Sequence, residues 1–205
     1  MIPETLYKNS YTIGYRDVDF NGNLRLSALF GYFQDTAGMN VESLGIGVET
    51  LSKKHSAAWV LTKILVEINR FPGWNEKITV ETWPHEPKKY EFDRDFRVRD
   101  EKGGIIASAI SNWVLLDINT REIKKSDVIF SDYPKFDFIE ERALNSRLRK
   151  LKPFGQLNSV YRKVIGYSDT DVNGHINNAR YIDYIMDCFS MEEHKKHTVK
   201  SIQVK

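Results

Sequence analysis

Apolar residues recur along the chain at two different spacings, and the spacing changes after the first third of the sequence. From Leu26 to Ala37 they recur every three or four residues, which is the period of an amphipathic helix. From Trp59 to Asp117 they form β-branched and aromatic runs separated by turn residues, which predicts four antiparallel strands. A short strand precedes the helix. A long sheet that curls around one apolar helix would bury the apolar faces of both.

The four strands are predicted from local pattern and from turn residues. They are expected over Trp59–Ile68, over Lys77–Trp83, within the alternating stretch 90–99, and over Ile105–Asp117. In the third strand apolar and charged residues alternate, which predicts one buried and one solvated face, although Arg94 interrupts the apolar row. Gly103-Gly104 predicts a hairpin turn. The fourth strand carries Ala107, Ala109 and Ser111 on one face, small enough for a helix to approach closely.

The chain also contains an internal repeat. Residues 13–35 and 165–187 align without gaps, 152 positions apart, and each copy predicts a short strand, a polar turn and an amphipathic helix. The turns are Asp19-Phe-Asn-Gly22 and Asp171-Val-Asn-Gly174. Within this shared frame the first copy has Asn23 where the second has His175. A duplicated turn needs the same residues twice, but chemistry needs its histidine once, so the difference indicates a functional role for His175.

These patterns predict an α+β fold, a tandem (double) hot-dog in which an antiparallel sheet wraps around a central helix. Residues 1–132 are expected to form the N-terminal hot-dog, 133–160 a linker, and 161–205 the start of a C-terminal hot-dog. After the second helix only residues 199–205 remain, one strand where four are expected. The second hot-dog is therefore predicted to be incomplete in this chain.

Composition narrows the function classes. The 205 residues are 41% apolar and carry 30 Lys and Arg against 28 Asp and Glu, a net charge of +2 that gives no global argument for nucleic-acid binding. Cys188 is the single cysteine, so an intrachain disulfide is excluded and a reducing compartment is favoured. The residue itself is most simply a small buried packing residue. No segment reaches the ~18–20 apolar residues of a membrane span. A cytoplasmic protein without membrane insertion is expected.

Several segments together resemble the acyl-acyl-carrier-protein (acyl-ACP) thioesterase family. Four of these segments lie in the first unit: Trp59-Val-Leu-Thr-Lys63, Glu81-Thr-Trp83, the stretch that starts Arg94-Asp-Phe-Arg, and the stretch that starts Trp113-Val-Leu-Leu. The segment Asp171-Val-Asn-Gly-His-Ile-Asn-Asn178, followed by Tyr181, is similar to the family's active-site motif. The resemblance runs from about Tyr11 to Lys205. It implies a thiolester hydrolase that releases free fatty acid from ACP and so terminates fatty acid synthesis.

Two expectations qualify the resemblance. The N-terminus lacks the Arg-rich, acid-poor composition of a plastid transit peptide, which favours the bacterial branch over the plant enzymes. Family members also carry an acidic or cysteine residue on the strand after the second helix. By spacing, that position falls a few residues beyond Lys205, so the catalytic set is expected to be incomplete within these residues.

Thioester hydrolysis needs an activated water and hydrogen-bond donors for the developing oxyanion. The imidazole of His175 can accept a proton from water at neutral pH, and it precedes a helix whose free N–H groups favour negative charge. Asn173 could polarise the carbonyl, and Asp171 could act as nucleophile, base or orienting group. Both have twins, Asn21 and Asp19, so a purely structural role in the turn stays open. The backbone of Gly174 and Ile176 is the candidate oxyanion site.

The remaining candidates concern binding. Leu29, Phe33 and Trp59 are candidate walls of an acyl pocket, or ordinary core residues. Arg147, Arg149 and Lys150 belong to a basic cluster that could dock the acidic carrier protein, or form a solvated loop. His194 and His197 lack a third ligand, so neither a metal nor another cofactor is expected.

Two alternative functions fit the same fold. An acyl-coenzyme A thioesterase would use the same chemistry on a different carrier. A non-catalytic acyl-binding or regulatory hot-dog protein would hold the chain without turnover. The sequence leaves the carrier, the chain length and saturation, and the formation of a homodimer open.

Overall fold

The computed structural model describes residues 5–130, 136–152, 155, 159–171 and 174–205. Its strands are β1 (Tyr7–Thr12), β2 (Ala57–Ile68), β3 (Lys77–Pro84), β4 (Phe92–Asp100), β5 (Ile105–Asp117), β6 (Ile123–Lys124) and β7 (Ser201–Val204). Its helices are α1 (Leu26–Ser43), α2 (Val48–His55), α3 (Asp127–Phe130), α4 (Asn178–Met186) and α5 (Met191–Lys196). Short 3₁₀ turns at Tyr15–Asp17 and Tyr167–Asp169 precede α1 and α4.

The strands form one antiparallel sheet in the order β1-β3-β4-β5-β2-β7, with the short β6 paired to β5. All four predicted strands are present; β5 has the predicted bounds, and the bounds of β2, β3 and β4 differ from the prediction by at most two residues. The predicted hairpin between β4 and β5 is also confirmed. Gly103 has a positive φ of 82°, and its N–H donates to the Asp100 carbonyl at 2.9 Å.

The sheet wraps around α1, which confirms the predicted relation between helix and sheet. The buried face of α1 includes Leu29 and Phe33, and it packs against inward residues of the strands such as Val80 and Phe96. The rings of Phe33 and Phe96 lie 4.8 Å apart. Ala107 and Ala109 of β5 are almost fully buried in the same core, as expected for small residues beneath a helix.

Arg94 interrupts the apolar row of β4 because it bridges the sheet to α1. Its side chain is buried with only 6% exposed, and one terminal nitrogen donates to Asn40 Oδ1 at 2.7 Å and to Thr82 Oγ1 at 3.1 Å. Burial of the guanidinium lowers the pKa of Arg94 to about 9, so it remains charged at neutral pH. A charged residue in this row therefore ties the helix to two neighbouring strands.

The opposite face of β4 is less solvated than its alternating charges predict. Asp95 is fully buried because the segment after α3 crosses over the sheet at this point. Its carboxylate accepts a hydrogen bond from Ala143 N–H at 2.7 Å and lies 3.1 Å from the Arg142 guanidinium and 3.1 Å from His85 Nε2. The prediction of a solvated face is thus wrong for Asp95, whose charge fixes the crossing segment to the sheet.

Residues of the second repeat copy attach to the first unit through equivalent elements. Helix α4 packs against α1, and its Ile182 is only 1% exposed in the main core. Strand β7 pairs with β2, with Val66 opposite Ile202. The helices of the two copies, α1 and α4, therefore pack against each other. The strands that follow them, β2 and β7, pair with each other. The domain bounds at 132 and 160 stay a prediction. No helix in the described ranges has the length and hydropathy needed to cross a bilayer.

Candidate functional site

The two repeat copies fold into matching turns. In the first copy Asp19 N–H donates to the Asn23 carbonyl at 2.8 Å, and Gly22 N–H donates to the Asp19 carbonyl at 3.0 Å. In the second copy Asp171 N–H donates to the His175 carbonyl at 2.8 Å, and Gly174 N–H donates to the Asp171 carbonyl at 3.0 Å. Gly22 and Gly174 both adopt the left-handed region, with φ of 76° and 71°. The same sequence chemistry thus builds the same turn twice.

The Asp side chain closes each turn from inside. Asp19 Oδ1 accepts hydrogen bonds from the N–H groups of Asn21 and Asn23 at 2.8 and 3.0 Å. Asp171 Oδ1 accepts from the backbone N–H of His175 at 3.2 Å. Asp19 and Asp171 thus accept the same kind of backbone hydrogen bond. In both copies the carboxylate fixes the backbone of the residue four positions later, Asn23 in the first copy and His175 in the second. Asn173, the other predicted site residue with a twin in the first copy, lies outside the described residues.

A second carboxylate anchors each turn to its own helix. Gly14 N–H donates to Asp17 Oδ2 at 3.1 Å, and Gly166 N–H donates to Asp169 Oδ2 at 2.8 Å. The Tyr184 hydroxyl contacts Asp169, and burial together with this carboxylate raises the pKa of Tyr184 to about 12. Asn177 caps α4, its side-chain oxygen accepting from Ala179 N–H at 2.9 Å. The backbone is therefore fixed by hydrogen bonds on both sides of His175, before it at the Asp169 carboxylate and after it at the start of α4.

The anchor makes the turn sensitive to acid. The hydrogen bond from Gly166 N–H, the Tyr184 hydroxyl and the Lys163 ammonium keep the pKa of Asp169 below its ordinary value. A carboxyl with a lowered folded-state pKa stabilises the fold above its unfolded pKa of about 3.9, and this contribution is lost as pH falls through the folded value. We expect Asp169→Asn to lower the free energy of unfolding at pH 6, with the difference from wild type shrinking below about pH 4. Denaturant unfolding at several pH values measures it, and a pH-independent difference would contradict the assignment.

The second turn lines part of a cavity of about 310 Å³ between α1 and the sheet. Asp171, His175, Ile176 and Asn178 line one part of it, and His175 is exposed there. Most of the other lining residues are aromatic or aliphatic; they include Trp59, Phe92, Trp113, Phe130, Phe136, Phe138, Val41, Leu44 and Ile46. The volume lies at the lower end of the range for small-molecule pockets, ~300–1,000 Å³. An imidazole thus stands at the edge of a largely apolar cavity.

The indole groups leave the cavity wall apolar because their N–H groups are bonded elsewhere. Trp59 Nε1 donates to the Ile46 carbonyl at 3.1 Å, and Trp113 Nε1 donates to Ser111 Oγ at 2.9 Å. Their rings therefore present carbon surface to the cavity. Four polar or charged residues interrupt this wall: Arg94, which is a buried cation, together with Gln34, His85 and Asp93.

Comparison with known proteins identifies the family. The model of the acyl-ACP thioesterase N-terminal domain matches residues 4–130, and the model of the acyl-ACP thioesterase C-terminal domain matches residues 158–205. The chain belongs to the acyl-ACP thioesterase family. An acyl-ACP thioesterase from Bacteroides thetaiotaomicron is 28% identical, with a TM-score of 0.78 over 97% of this chain and 79% of that one.

Plant proteins of the acyl-ACP thioesterase family are also similar to this chain. The chloroplastic oleoyl-acyl carrier protein thioesterase of Coriandrum sativum is 26% identical over 96% of this chain. The chain spans 57% of that relative's length. The 12:0-ACP thioesterase of Umbellularia californica is 21% identical, with a TM-score of 0.79 over 99% of this chain and 82% of that one, which shows a shared fold. The α+β hot-dog fold predicted for this acyl-ACP thioesterase family member is confirmed.

The structure brings some of the predicted binding residues to the cavity and leaves others away from it. Trp59 lines the cavity beside the later turns of α1 at Ala37, Gly38 and Val41. Leu29 and Phe33 instead lie in the main core, only 3% and 2% exposed, and neither lines the cavity, whose lining residues on α1 begin at Gln34. The apolar period of α1 predicted burial correctly, but it could not distinguish core from cavity wall.

The predicted docking residues lie apart from the cavity. Arg147 lines a separate open groove on the other face of the sheet, beside Lys63 and Arg142. Arg149 is joined to β7 through its backbone, since its N–H donates to Gln203 Oε1 at 3.1 Å and its carbonyl accepts from Gln203 Nε2 at 2.7 Å. Lys150 is exposed next to it. None of the three lines the cavity that contains His175.

Other assignments also change. The N–H of Gly174 is already used within the turn, so of the two oxyanion candidates Ile176 remains. Cys188 is exposed rather than buried, because α4 ends at Met186 before reaching it. Arg94 was not predicted as a cavity residue, although its break in the apolar row was a usable indication. Over the described ranges, no group of three or more His, Cys, Asp or Glu side chains is placed to hold a metal ion.

Proposed function

We propose that the protein hydrolyses the thioester between a fatty acyl chain and acyl carrier protein, releasing free fatty acid and carrier thiol and ending chain elongation. One observation carries the proposal: the single turn of the repeat that has an imidazole, His175, opens onto the apolar cavity between α1 and the sheet. The family supports the same reaction. The cytoplasmic location and any homodimer stay predictions.

In the proposed reaction the acyl chain occupies the apolar cavity and the thioester carbonyl lies beside the second turn. The imidazole of His175 takes a proton from a water molecule as that water attacks the carbonyl carbon. The tetrahedral intermediate then collapses, the carbon–sulfur bond breaks, and the imidazolium returns its proton to the leaving thiolate of the carrier. The products are a fatty acid and the carrier thiol, and no oxidant, reductant or metal takes part.

The neighbours of His175 have separate tasks in this proposal. The amide of Ile176, close to the start of α4, is the proposed donor to the oxyanion, where the helix dipole also favours negative charge. Asp171 holds the backbone of His175 through the 3.2 Å hydrogen bond, so we assign it a positioning role. The roles of Asn173 and of the basic residues Arg147, Arg149 and Lys150 stay predictions.

A competition assay tests the carrier. Dodecanoyl-ACP and dodecanoyl-coenzyme A are supplied at equal concentration, and release of each thiol is followed separately. We expect the ACP thioester to be hydrolysed with the higher kcat/KM. A higher kcat/KM for the coenzyme A thioester would mean that coenzyme A, not ACP, is the carrier, and it would leave the proposed hydrolysis unchanged. Binding of both thioesters with no hydrolysis of either would favour a non-catalytic acyl-binding protein and overturn the proposal.

The cavity also predicts a change in chain-length preference. Gly38 lies on the cavity side of α1, and a Cβ at this position would meet no atom within 4 Å. Gly38→Phe should therefore place a ring in the cavity without straining the helix, and shift the preferred substrate to a chain several carbons shorter. The measurement is kcat/KM over a series of saturated acyl-ACPs. The control is Gly31→Phe, also open around its Cβ but outside the cavity lining. An unchanged profile in Gly38→Phe would contradict the placement of the chain.

A further inference from the structure

The cavity that contains His175 runs away from the second turn along α1. Ala37 lines it and belongs to the main apolar core, where Ile182 of α4, the helix that follows His175, is also buried. Val41 and Leu44 line it further along α1 and belong to a second apolar cluster. Among the described residues, that cluster includes none from the second repeat copy. The cavity therefore follows α1 for about 10 Å, the length of two helical turns, from the side of the second turn into the second cluster.

Aromatic rings wall the far end of this cavity. We call them the aromatic wall; its members are Trp59, Phe92, Phe130, Phe136 and Phe138, and all five line the cavity. The rings of Trp59 and Phe92 lie 4.8 Å apart, and those of Phe92 and Phe130 lie 6.3 Å apart. Phe136 and Phe138 lie 6.0 and 6.3 Å from Phe130 and 6.1 Å from each other. These distances are within the range of favourable aromatic pairs, so the rings support one another.

The last two rings of the aromatic wall come from the segment after α3, which the sequence assigns to the linker between the two units. Between these two rings, the Asp137 carbonyl accepts a hydrogen bond from the hydroxyl of Thr5 at 2.7 Å, and Thr5 is buried. Further along the segment, the Glu141 carbonyl accepts a hydrogen bond from Trp83 Nε1 of β3 at 2.9 Å. Hydrogen bonds to the first unit therefore hold the backbone that carries both rings.

We propose that Phe138, supported by Phe136, closes the end of the acyl-chain site and sets the longest chain that the cavity holds. The thioester lies beside His175, and the methyl end of the chain packs against the aromatic wall. Phe136 is only 8% exposed and supports the wall from within, whereas Phe138 is half-buried and borders the cavity. The inference rests on the proposed function and deepens it, because chain length is then set by the linker and not by the hot-dog strands alone.

A binding series over chain length tests the role of Phe138. The probes are acyl-pantetheine analogues with an amide in place of the thioester, from octanoyl to octadecanoyl, each titrated calorimetrically into the protein. Each methylene buried in the cavity should lower Kd by about fourfold, until the methyl end reaches the aromatic wall and the gain stops. We call the chain at which the gain stops the limiting length. It should be several carbons longer in Phe138→Ala and shorter in Phe138→Trp, with the same gain per carbon below it.

Ile139→Ala is the matched control, since Ile139 is the next residue, is also half-buried, and does not line the cavity. It should keep the wild-type limiting length. Thermal unfolding checks that each variant is folded, and Phe138→Trp decides alone if Phe138→Ala does not fold. An unchanged limiting length in the folded Phe138 variants, an equal shift in Ile139→Ala, or no binding of any analogue would overturn the inference. Because binding is measured without turnover, the expected shifts in a protein that hydrolyses no acyl-ACP would support the inference and overturn only the proposed function.

Discussion

Replacement of His175 by alanine is expected to lower kcat for acyl-ACP by about 10²–10⁴, the range that general acid–base catalysis contributes. The fold should be unaffected, because the His175 side chain is exposed and the turn is held by backbone groups and by Asp171. KM should change little, since the apolar walls that bind the chain remain. Steady-state kinetics with dodecanoyl-ACP, together with a thermal unfolding curve, measures these three quantities.

The repeat supplies a matched control for this substitution. Asn23→Ala removes the side chain at the equivalent position of an equivalent turn, where the backbone hydrogen bonds are the same. It should leave kcat within about twofold of wild type. Equal losses in His175→Ala and Asn23→Ala would mean that the turns act only structurally. A His175→Ala protein with wild-type kcat would refute the catalytic assignment.

The largest effect on stability is expected for Phe33→Ala. Phe33 is only 2% exposed, and its ring packs 6.2 Å from Phe30 and 4.8 Å from Phe96 in the centre of the core. Loss of the ring leaves a cavity between α1 and β4, so the free energy of unfolding should fall by about 3–5 kcal/mol. Since a domain has only about 5–15 kcal/mol in total, this is a large share of the stability.

Urea unfolding measures the change, with Tyr167→Ala as the control. Tyr167 is 98% exposed, and its replacement should change the free energy of unfolding by less than about 0.5 kcal/mol. If Phe33 instead bordered the bound acyl chain, Phe33→Ala would chiefly alter the chain-length profile. A Phe33→Ala protein with near-wild-type stability and a shifted chain-length preference would therefore mean that Phe33 lines the cavity.

Much of the fold was predictable because its determinants are local. Alternation and turn residues predicted β2 to β5, and the 3.6-residue period predicted α1. The polar turns could be paired because Asp19 and Asp171 make their hydrogen bonds within four residues, so the same short sequence produces the same geometry. The asymmetry between Asn23 and His175 needed only this alignment.

The remaining features depend on contacts between distant parts of the chain. Helix α2 is short and mostly polar, and its only buried residue is Leu51, so no apolar period marked it. Asp95 was predicted to be solvated because nothing in β4 indicates that residues 141–143 cross over it. The aromatic residues Phe136 and Phe138 reach the cavity only through the folding of that later segment. Sequence periodicity describes an element's own faces and not what later covers them.

The pairing of α1 with α4 and of β2 with β7 has an evolutionary consequence. In a symmetric homodimer every substitution occurs on both sides of the axis, so a residue needed at one bend is imposed on the other. Once the two halves are joined in one polypeptide, each can mutate independently. The first turn could then carry Asn23 while the second carries the imidazole of His175. The hydrogen bonds of the first turn were kept because the other half of the chain still packs against it.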